Sequence, residues 1–544
     1  MSAERKCIML GNHKRSDEAQ FYFVGAGLGG LTGAAYLLRD CGFEGGNIHI
    51  IEALDVPGGS NDGAGDSKRG WVARGERMFC KLTYENFWDI MGSVPSLENE
   101  GNSVTDDMFA FAERQPVYAR ARFIDKTGEI MPNGSYGLEK PELLLLFNLI
   151  KADEGDLDEL TIEDWFGARN GHFFHTIFWY CYECTFAFTP WTSVMEFRRY
   201  VIRLLPLITR LPTSEGVILT ERDQYDGLIK PLMAVLEEAG VEFIYGQSVC
   251  DMDFADGDGI TVTALHTVSS DGSAGIIQLA PEDKVVATLG CMTDNSTYGD
   301  ADTPARKDNS YPQSARLWKN IAAKKTGLGD PDVFFAHPDK SDWMTFNCTF
   351  AGNTLMDWLE GWTHNKTGEG LSSTFVESPW FMELRNPTPP YWDNQTDDRS
   401  YLWMCAFHSD ECGAYVGKPM WDCTGREILE ELICSLPIPE EVREQIRGEV
   451  VSAIPVALPY TNAHFMPRSV GDRPDVIPAG STNLGFTGQY CEIPRDIVFT
   501  EEYSVRSARM AVYGLLDMKR EVAPITPLNY DIRVLGMVAL HLLK

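Results

Sequence analysis

Short apolar runs and one amphipathic stretch follow each other near the start of the chain. Residues 21–24 and 47–52 are two short runs rich in apolar side chains, and residues 31–40 carry apolar side chains at helical spacing. The short runs predict buried strands, and the longer stretch predicts a helix. A glycine-rich turn, Gly25-Ala-Gly-Leu-Gly-Gly30, joins the first strand to the helix. The order strand, glycine turn, helix, strand predicts the beginning of a doubly wound α/β domain.

The three glycines of this G-x-G-x-x-G pattern have separate expected roles. Gly25 permits a tight turn, Gly27 lets the backbone approach a pyrophosphate at the helix N-terminus, and Gly30 lets the helix pack closely on the strand. Glu52 ends the second strand, where a carboxylate binds ribose hydroxyls in dinucleotide sites. Because the strand, the helix and the acid accompany the glycines, the pattern predicts a dinucleotide site.

A second glycine turn, Pro57-Gly-Gly-Ser60, follows directly after the predicted ribose acid. It resembles the signature of large FAD enzymes related to amine oxidases and carotene desaturases, and this resemblance favours FAD over NAD. In such enzymes a strand like residues 241–249 lays a valine backbone, here Val249, against the adenine. An ordinary surface hairpin is the alternative interpretation of that segment.

Two later segments complete the predicted domain. Residues 285–290 predict a buried strand with a small-residue turn, and residues 483–489 form a glycine-rich turn before a helix expected near Thr500. The fold class is therefore α/β, with a discontinuous Rossmann-like FAD-binding domain at residues 18–100, 215–300 and 470–515. We expect a mixed α+β substrate domain at residues 101–214 and 301–469, and a helical C-terminal tail at residues 516–544. The predicted cofactor contacts are Gly25, Gly27, Gly30, Glu52, Gly59, Ser60, Arg77, Val249, Thr288, Asn483 and Gln489.

The overall charge narrows the range of partners. The chain has 79 acidic and 47 basic residues, a formal net charge of -32, which repels nucleic-acid phosphates and argues against a nucleic-acid partner. No apolar run approaches the roughly 20 residues of a spanning helix, and no secretory signal is recognisable, so we expect a cytoplasmic protein. The apolar residues near the C-terminus leave open a transient, peripheral membrane contact.

The thirteen cysteines are an odd number scattered over a long chain, which indicates free thiols rather than a disulfide framework. Cys181 and Cys184 form a C-x-x-C pair. No second pair stands at ligand spacing, and aromatic residues surround the pair, so we interpret these cysteines as buried structural residues and expect no metal site.

Motifs that are not general features of FAD enzymes run through the chain. They include Gly70-Trp-Val-Ala-Arg-Gly-Glu-Arg77, Thr185-Phe-Ala-Phe-Thr-Pro-Trp191, Glu196-Phe-Arg-Arg-Tyr200, Asp223-Gln-Tyr-Asp226 and Phe465-Met-Pro-Arg468. Their content and order resemble the oleate hydratases, also called myosin-cross-reactive antigens. The resemblance implies an FAD-dependent hydro-lyase that adds water to the cis-9 double bond of a free unsaturated fatty acid, converting oleic acid to 10-hydroxystearic acid.

The resemblance also implies roles for individual residues. A family tyrosine that protonates the alkene matches Tyr200, and a glutamine that lines the substrate site matches Gln224. Taken alone, Tyr200 would be interpreted as a packed aromatic residue of an amphipathic helix. Because hydration is redox-neutral, the flavin is expected to shape the site and stabilise developing charge rather than accept electrons.

The chain departs from the family in the loop after Arg77. Many members carry a water-activating carboxylate there, whereas this chain reads Met78-Phe-Cys-Lys81. We do not transfer that role to Glu76, which occupies a different place in the motif. Met78 and Phe79 remain candidate substrate contacts, and what activates the water stays open.

A second departure concerns the carboxylate of the fatty acid. Its Thr-x-Asn-x-x-x-His ligands in the family align near Arg385, Pro387 and Tyr391. We predict that Arg385 binds the carboxylate instead, because a guanidinium binds a carboxylate through two hydrogen bonds. The alternative is that Arg385 is an ordinary surface arginine.

Other functions stay open on the sequence alone. A redox FAD enzyme of the amine-oxidase or desaturase type uses the same scaffold, and the altered loop is compatible with a fatty-acid double-bond isomerase. A lipid-binding flavoprotein without catalysis is a further alternative. The chain could act as a monomer or a homodimer.

Overall fold

The computed structural model describes residues 19–525 together with Arg533 and Gly536. The described strands are β1 Phe21–Val24, β2 Ile48–Ile51, β3 Gly63–Asp66, β4 Gly70–Ala73, β5 Phe79–Cys80, β6 Phe123–Ile124, β7 Val217–Ile218, β8 Glu242–Ile244, β9 Gln247–Phe254, β10 Val262–Ser269, β11 Ala274–Gln278, β12 Lys284–Thr288, β13 Thr297–Tyr298, β14 Trp343–Phe350, β15 Ser373–Phe375, β16 Met382–Arg385, β17 Ser400–Ala406, β18 Val450–Leu458 and β19 Leu484–Thr487.

The α-helices of the described residues alternate irregularly with these strands. They are α1 Leu28–Tyr36, α2 Glu85–Met91, α3 Val104–Arg114, α4 Lys140–Lys151, α5 Ile162–Phe166, α6 Ile177–Phe186, α7 Val194–Arg203, α8 Lys230–Glu238, α9 Gln313–Lys324, α10 Asp332–Phe335, α11 Thr354–Thr363, α12 Gly425–Cys434, α13 Glu440–Glu449 and α14 Glu501–Leu515. No helix in this part of the chain combines the length and apolar character needed to cross a membrane.

Five strands form a parallel sheet in the order β19, β12, β1, β2, β8. The central strands β1, β2 and β12 are apolar and largely buried, as expected for a parallel sheet covered on both faces. Helix α1 follows β1 and packs on α14 and α8. The predicted α/β class, with a Rossmann-like sheet assembled from distant segments, is confirmed.

A seven-stranded mixed sheet has the order β13, β18, β14, β17, β16, β15, β6. The alternation of side chains along its strand β16 separates two environments. Met382 and Leu384 of β16 face an apolar core, whereas Glu383 and Arg385 point to the opposite face, because successive side chains of a strand alternate. There Arg385 pairs in register with Trp403 of β17, so the strand places a charged pair inside the protein.

Some predicted element boundaries were wrong. The segment 241–249 is not one strand: β8 belongs to the parallel sheet, whereas Val249 lies in β9, within a three-stranded antiparallel sheet with β10 and β11. Gly246 between them adopts a left-handed φ of 66°, which separates the two strands. Helix α1 begins at Leu28 and continues as a π-helical turn at Leu37–Cys41.

The predicted domain limits stay predictions. Strands of the parallel sheet fall in the segments expected for the FAD-binding domain, and strands of the mixed sheet fall in the other segments, except β13. Helix α14 ends at Leu515. The predicted helical tail at 516–544 lies outside the described residues beyond Ile525, apart from Arg533 and Gly536.

Candidate functional site

A cavity of about 410 Å³ lies at the carboxyl ends of the parallel strands; we call it the strand-end cavity. This is where doubly wound folds bind their ligands. Most of the predicted cofactor contacts line it: Gly25, Gly27, Glu52, Gly59, Ser60, Arg77, Val249, Thr288 and Gln489. The sequence positions span most of the chain, and the fold brings them together.

The glycine turn has the geometry that its residues require. Gly25 adopts a φ of +103°, which is accessible to glycine at little cost. Gly27 is the N-cap of α1, and a Cβ atom there would meet only the Gly59 Cα, at 3.9 Å. The backbone at the helix N-terminus is therefore open to the cavity, where its N–H groups favour an anion.

Two of the predicted cofactor contacts do not line the strand-end cavity. Gly30 faces the turn, where an added Cβ would lie 2.2 Å from the Gly25 carbonyl oxygen, which fits the packing role expected for it. The Asn483 side chain is buried and binds the backbone of Val262, accepting from N–H at 2.8 Å and donating to C=O at 2.9 Å. Asn483 therefore ties β19 to β10 and is not a cavity residue.

Glu52 is held in place by the backbone. Its Oε2 accepts a hydrogen bond from the Ala26 N–H at 2.8 Å, and its Oε1 accepts one from the Leu54 N–H at 2.9 Å. These bonds fix the carboxylate at the end of β2, beside the glycine turn. Each oxygen keeps a second lone pair for a hydroxyl donor.

The sequence did not identify several residues of this cavity. Arg74 forms an ion pair with Asp62 at 2.8 Å and donates to the Gly59 carbonyl at 3.0 Å. Arg77 forms an ion pair with Glu501 at 2.9 Å. Arg74 belongs to the Gly70–Arg77 motif, so it carried a signal, whereas Glu501 at the start of α14 carried none.

A second, smaller cavity of about 30 Å³, called here the Arg385 cavity, lies beside the charged face of β16. Its lining includes Glu76, Arg77, Gln224, Arg385, Pro387 and Tyr391. The sequence assigned three of these positions to the head group of the substrate and Gln224 to the substrate site. The structure brings all four to one place. Arg385 is only 5% exposed, so the alternative of a surface arginine was wrong.

Glu76, to which the family resemblance transfers no role, is the acid of the Arg385 cavity. Its side chain is 7% exposed and its Oε2 lies 3.9 Å from Arg385 Nη1. The Tyr391 hydroxyl donates to the same oxygen at 2.7 Å. Burial raises the pKa of Glu76, although Arg385 and Tyr391 act in the opposite direction.

Several polar atoms around this cavity make no hydrogen bond of normal geometry to another described residue. They are Glu76 Oε1, Gln224 Oε1, Arg385 Nε and Arg385 Nη2. Such atoms cost free energy when buried without a partner, and a cavity of this size holds a water molecule or a small polar group. The arrangement is typical of a binding site for a polar group.

Neighbouring groups hold the Arg385 cavity in shape. The Arg385 guanidinium lies over the Trp403 ring at 5.9 Å and within 3.7 Å of Glu383. Gln224 donates to the Tyr391 hydroxyl at 3.0 Å. Burial and the adjacent Asp226 raise the pKa of Asp223, so Asp223 adds little negative charge.

The cavities adjoin one another. Arg77 lines both the strand-end cavity and the Arg385 cavity, while Pro387 and Thr388 line the Arg385 cavity and a third cavity of about 590 Å³. The Gln115 side chain donates to Thr388 Oγ1 at the border between the two. The Arg385 cavity therefore lies between the third cavity and the strand-end cavity.

Tyr200 is fully buried on α7 among Phe186, Phe188 and Phe465. Its hydroxyl donates to the Val498 carbonyl, and Val498 precedes Phe499, which lines the strand-end cavity. Tyr200 itself does not line any of the three cavities. Burial, with smaller effects from Glu196 and Asp496, raises its pKa well above the usual value, so the phenol keeps its proton.

The two loop residues predicted to contact substrate lie elsewhere. Phe79 is 1% exposed and packs against Tyr84 and Phe87. Met78 is partly exposed, and its carbonyl accepts a hydrogen bond from the Tyr84 hydroxyl at 3.0 Å. Neither residue lines the three cavities, because the short strand β5 directs this segment into the core.

The C-x-x-C pair lies on α6. Cys181 and Cys184 are buried free cysteines, and burial raises the pKa of both thiols. A raised pKa disfavours the reactive thiolate. Within the described residues, no group of three or more His, Cys, Asp or Glu side chains could hold a metal ion.

The parallel sheet, the glycine turn and the crevice at the strand ends define an α/β protein of the dinucleotide-binding type. Residues 18–513 match the MCRA family, and the chain belongs to this family. It is 35% identical over 528 residues to an oleate hydratase of Streptococcus pyogenes serotype M49 (strain NZ131), covering 95% of this chain and 89% of that protein. It is 31% identical over 544 residues to a linoleate hydratase of Lactiplantibacillus plantarum, covering 93% and 95%.

The matches among solved structures have much lower sequence identity. A reduced UDP-galactopyranose mutase is 16% identical, with a TM-score of 0.47, covering 95% of this chain and 98% of that chain. An oxidoreductase from Methanosarcina mazei is 13% identical, with a TM-score of 0.46, covering 92% and 100%.

Proposed function

We propose that the protein hydrates the cis-9 double bond of free unsaturated fatty acids, converting oleic acid into 10-hydroxystearic acid. The observation that carries the proposal is the Arg385 cavity. It gathers Gln224 with Arg385 and Tyr391, from two distant segments, beside the strand-end cavity. The similarity to two hydratases over nearly the whole chain supports the same reaction class.

FAD is the proposed occupant of the strand-end cavity. The open glycine backbone at the N-terminus of α1 suits a pyrophosphate, and Glu52 suits the hydroxyls of a ribose. Gly59, Ser60, Arg77, Val249, Thr288 and Gln489 complete the proposed contacts. When bound, the flavin supplies an electrostatic environment for a redox-neutral reaction.

Arg385 binds the carboxylate of the fatty acid in this proposal. Its Nε and Nη2 atoms are buried donors without a hydrogen-bond acceptor among the described residues, and a carboxylate accepts from two guanidinium N–H groups at once. The cavity of about 30 Å³ holds a head group but no hydrocarbon chain. The hydrocarbon chain therefore lies outside this cavity.

Tyr200 is the proposed proton donor. Burial keeps its hydroxyl protonated, and a proton donor must carry its proton when the alkene accepts it. Since its hydroxyl now donates to the Val498 carbonyl, that hydrogen bond has to be exchanged before the proton can be transferred. The adjacent Phe499 belongs to the wall of the strand-end cavity, so the occupant of that cavity contacts the segment that holds the Tyr200 hydroxyl.

Glu76 is not the base that activates the water. It lies within 3.9 Å of Arg385, whereas the double bond begins eight carbon–carbon bonds from the carboxylate carbon that Arg385 binds. No carboxylate occupies Met78–Lys81, so the water is positioned without a general base in that loop. We expect slower turnover than with such a base, whose help is typically worth roughly 10²–10⁴-fold.

The decisive experiment uses oleic acid in ¹⁸O-labelled water. The FAD-loaded protein is incubated without oxygen, and the products are identified by mass spectrometry. Labelled 10-hydroxystearic acid supports the proposal. A product whose double bond has moved and that contains no added oxygen atom identifies an isomerase. Peroxide that forms only in a parallel incubation with molecular oxygen identifies an oxidase. Either product overturns the proposal.

The role of Tyr200 is tested by Tyr200→Phe, which should abolish turnover and leave FAD bound. Tyr182→Phe is the matched control, because the Tyr182 hydroxyl is also buried in the aromatic cluster and makes no hydrogen bond to a described residue. The control should keep its turnover. A fully active Tyr200→Phe protein would remove this residue from the acid role.

A further inference from the structure

The charges around the Arg385 cavity cancel before any ligand binds. Arg385 is paired with Glu76, and Glu383 is also within ion-pair distance of the buried Arg122, at 3.7 Å. Asp223 is predominantly neutral because burial and Asp226 raise its pKa. Arg77, at the border of the cavity, is paired with Glu501. The site therefore has no surplus positive charge for an anionic ligand.

A fatty-acid carboxylate adds one negative charge to this closed space. Together with Glu76 and Glu383, the ligand would bring three carboxylates to Arg385, and buried like charges raise the pKa of one of them until it binds a proton. The same burial makes an uncompensated charge costly. One proton taken up with the carboxylate restores neutrality.

Glu76 is placed to hold that proton. Its Oε2 is fixed by the Tyr391 hydroxyl at 2.7 Å, while its Oε1 makes no hydrogen bond of normal geometry to another described residue. A protonated Oε1 can donate to the incoming carboxylate or to Gln224 Oε1, which also lacks a donor in the described structure. The titratable or charged groups that face Glu76 are Arg77, Asp223, Arg385, Tyr391 and Tyr401.

We propose that the Arg385 cavity binds the fatty-acid carboxylate together with one proton from solvent, and that Glu76 holds this proton while Arg385 holds the carboxylate. Glu76 is thus a specificity-determining residue of the site. The inference rests on the proposed function, since it takes a free fatty acid as the substrate. It predicts that substrate affinity falls as pH rises above the pKa of Glu76.

The test is binding of decanoate, a saturated fatty acid that cannot be hydrated, to the FAD-loaded protein. Calorimetry in two buffers of different ionisation enthalpy gives the number of protons taken up. The wild type should take up close to one proton, and its affinity should fall about tenfold per pH unit above the pKa of Glu76.

Two variants locate the proton. Glu76→Gln should take up none, and its affinity for decanoate should not depend on pH and should exceed that of the wild type at alkaline pH. Glu383→Gln, which changes the other carboxylate near Arg385, should still take up a proton. Retained uptake in Glu76→Gln, or lost uptake in Glu383→Gln alone, overturns the assignment.

A wild-type measurement alone also decides the inference, in case a variant does not fold. Decanoate binding without proton uptake, or no decanoate binding at all, overturns it. The ¹⁸O experiment with oleic acid decides the hydratase proposal separately, so the two failures are distinguishable.

Discussion

The strand-end cavity and the Arg385 cavity are built in opposite ways. Seven glycines at turns and strand ends line the strand-end cavity, and its arginines already have ion-pair partners. The Arg385 cavity is formed by side chains, several of which bury polar atoms without a partner among the described residues. A ligand of the first site replaces water along a preformed backbone surface, whereas a ligand of the second completes an unfinished set of hydrogen bonds.

The largest effect is expected from a variant that disrupts the glycine turn of the strand-end cavity. Gly30→Ala places a Cβ atom 2.2 Å from the Gly25 carbonyl oxygen, which forces the helix away from the turn. We expect loss of bound FAD and a fall of about 3 kcal/mol in the free energy of unfolding. Flavin absorbance after gel filtration and chemical denaturation measure both. Gly46→Ala is the control, because its Cβ meets nothing within 4 Å; retained flavin in Gly30→Ala would contradict the proposed geometry.

The next largest effect is expected from a variant that removes the central charge of the Arg385 cavity. Arg385→Ala should weaken decanoate binding by about 30-fold or more, since loss of one partner of a buried charge pair costs at least about 2 kcal/mol. Flavin content should not change. Arg426→Ala removes a 61% exposed arginine paired with Asp302 and serves as the control. An unchanged dissociation constant in Arg385→Ala would exclude Arg385 as the carboxylate ligand.

The third prediction concerns His464, which packs against the wall of the strand-end cavity and is expected to stay uncharged. His464 is fully buried and stacks on Phe499, with ring centroids 4.9 Å apart. Burial, with Arg473 in the same direction, lowers the pKa of His464 from 6.5 to about 3. The unfolded chain binds the proton first as pH falls, so the folded state loses stability progressively between about pH 6.5 and about pH 3.

At pH 5 this loss amounts to about 2 kcal/mol. His464→Gln should therefore lose about 2 kcal/mol less than the wild type between pH 7 and pH 5, measured by denaturant unfolding at both values. His337→Gln, at an exposed histidine, should lose as much as the wild type. Identical pH dependence in His464→Gln and the wild type would show that His464 is not held neutral.

The smallest effect is expected from a variant that removes one hydrogen bond to Glu76 in the Arg385 cavity. Tyr391→Phe removes the hydrogen bond to Glu76 Oε2, which should raise the pKa of Glu76 further. Decanoate should then bind more tightly at alkaline pH, by about fivefold at most, because a hydrogen bond contributes about 1 kcal/mol. Calorimetry measures the change. Weaker binding would instead show that the Tyr391 hydroxyl contacts the carboxylate directly.

The strand-end cavity could be predicted from the sequence because the motifs that indicate it are local. Gly25, Gly27 and Gly30 stand at fixed spacing between a strand and a helix, and each is required by the conformation of that short segment. Val249 lines the cavity as expected, although the strand that carries it belongs to a different sheet. That error arose because one apolar run does not show where a chain passes from one sheet to another.

The Arg385 cavity was only partly predictable from the sequence. Gln224 matches a family residue, whereas Arg385 and Tyr391 stand near aligned positions whose family ligands are absent. The burial and the convergence of these residues depend on register in the mixed sheet. Glu76 belongs to the Gly70–Arg77 motif, but nothing in that motif indicates that position 76 meets position 385. Phe79 was misplaced because a loop motif does not show whether a side chain faces a cavity or the core.

Glu76 and Arg77 are neighbours in the chain and line different sets of surfaces: Glu76 belongs to the Arg385 cavity alone, and Arg77 belongs to both that cavity and the strand-end cavity. A single peptide unit thus connects the two sites. A change that moves this peptide alters both sites at once, so neither can be retuned independently through this segment. Variants that alter substrate preference without loss of cofactor are therefore more readily found on β16 than between β4 and β5.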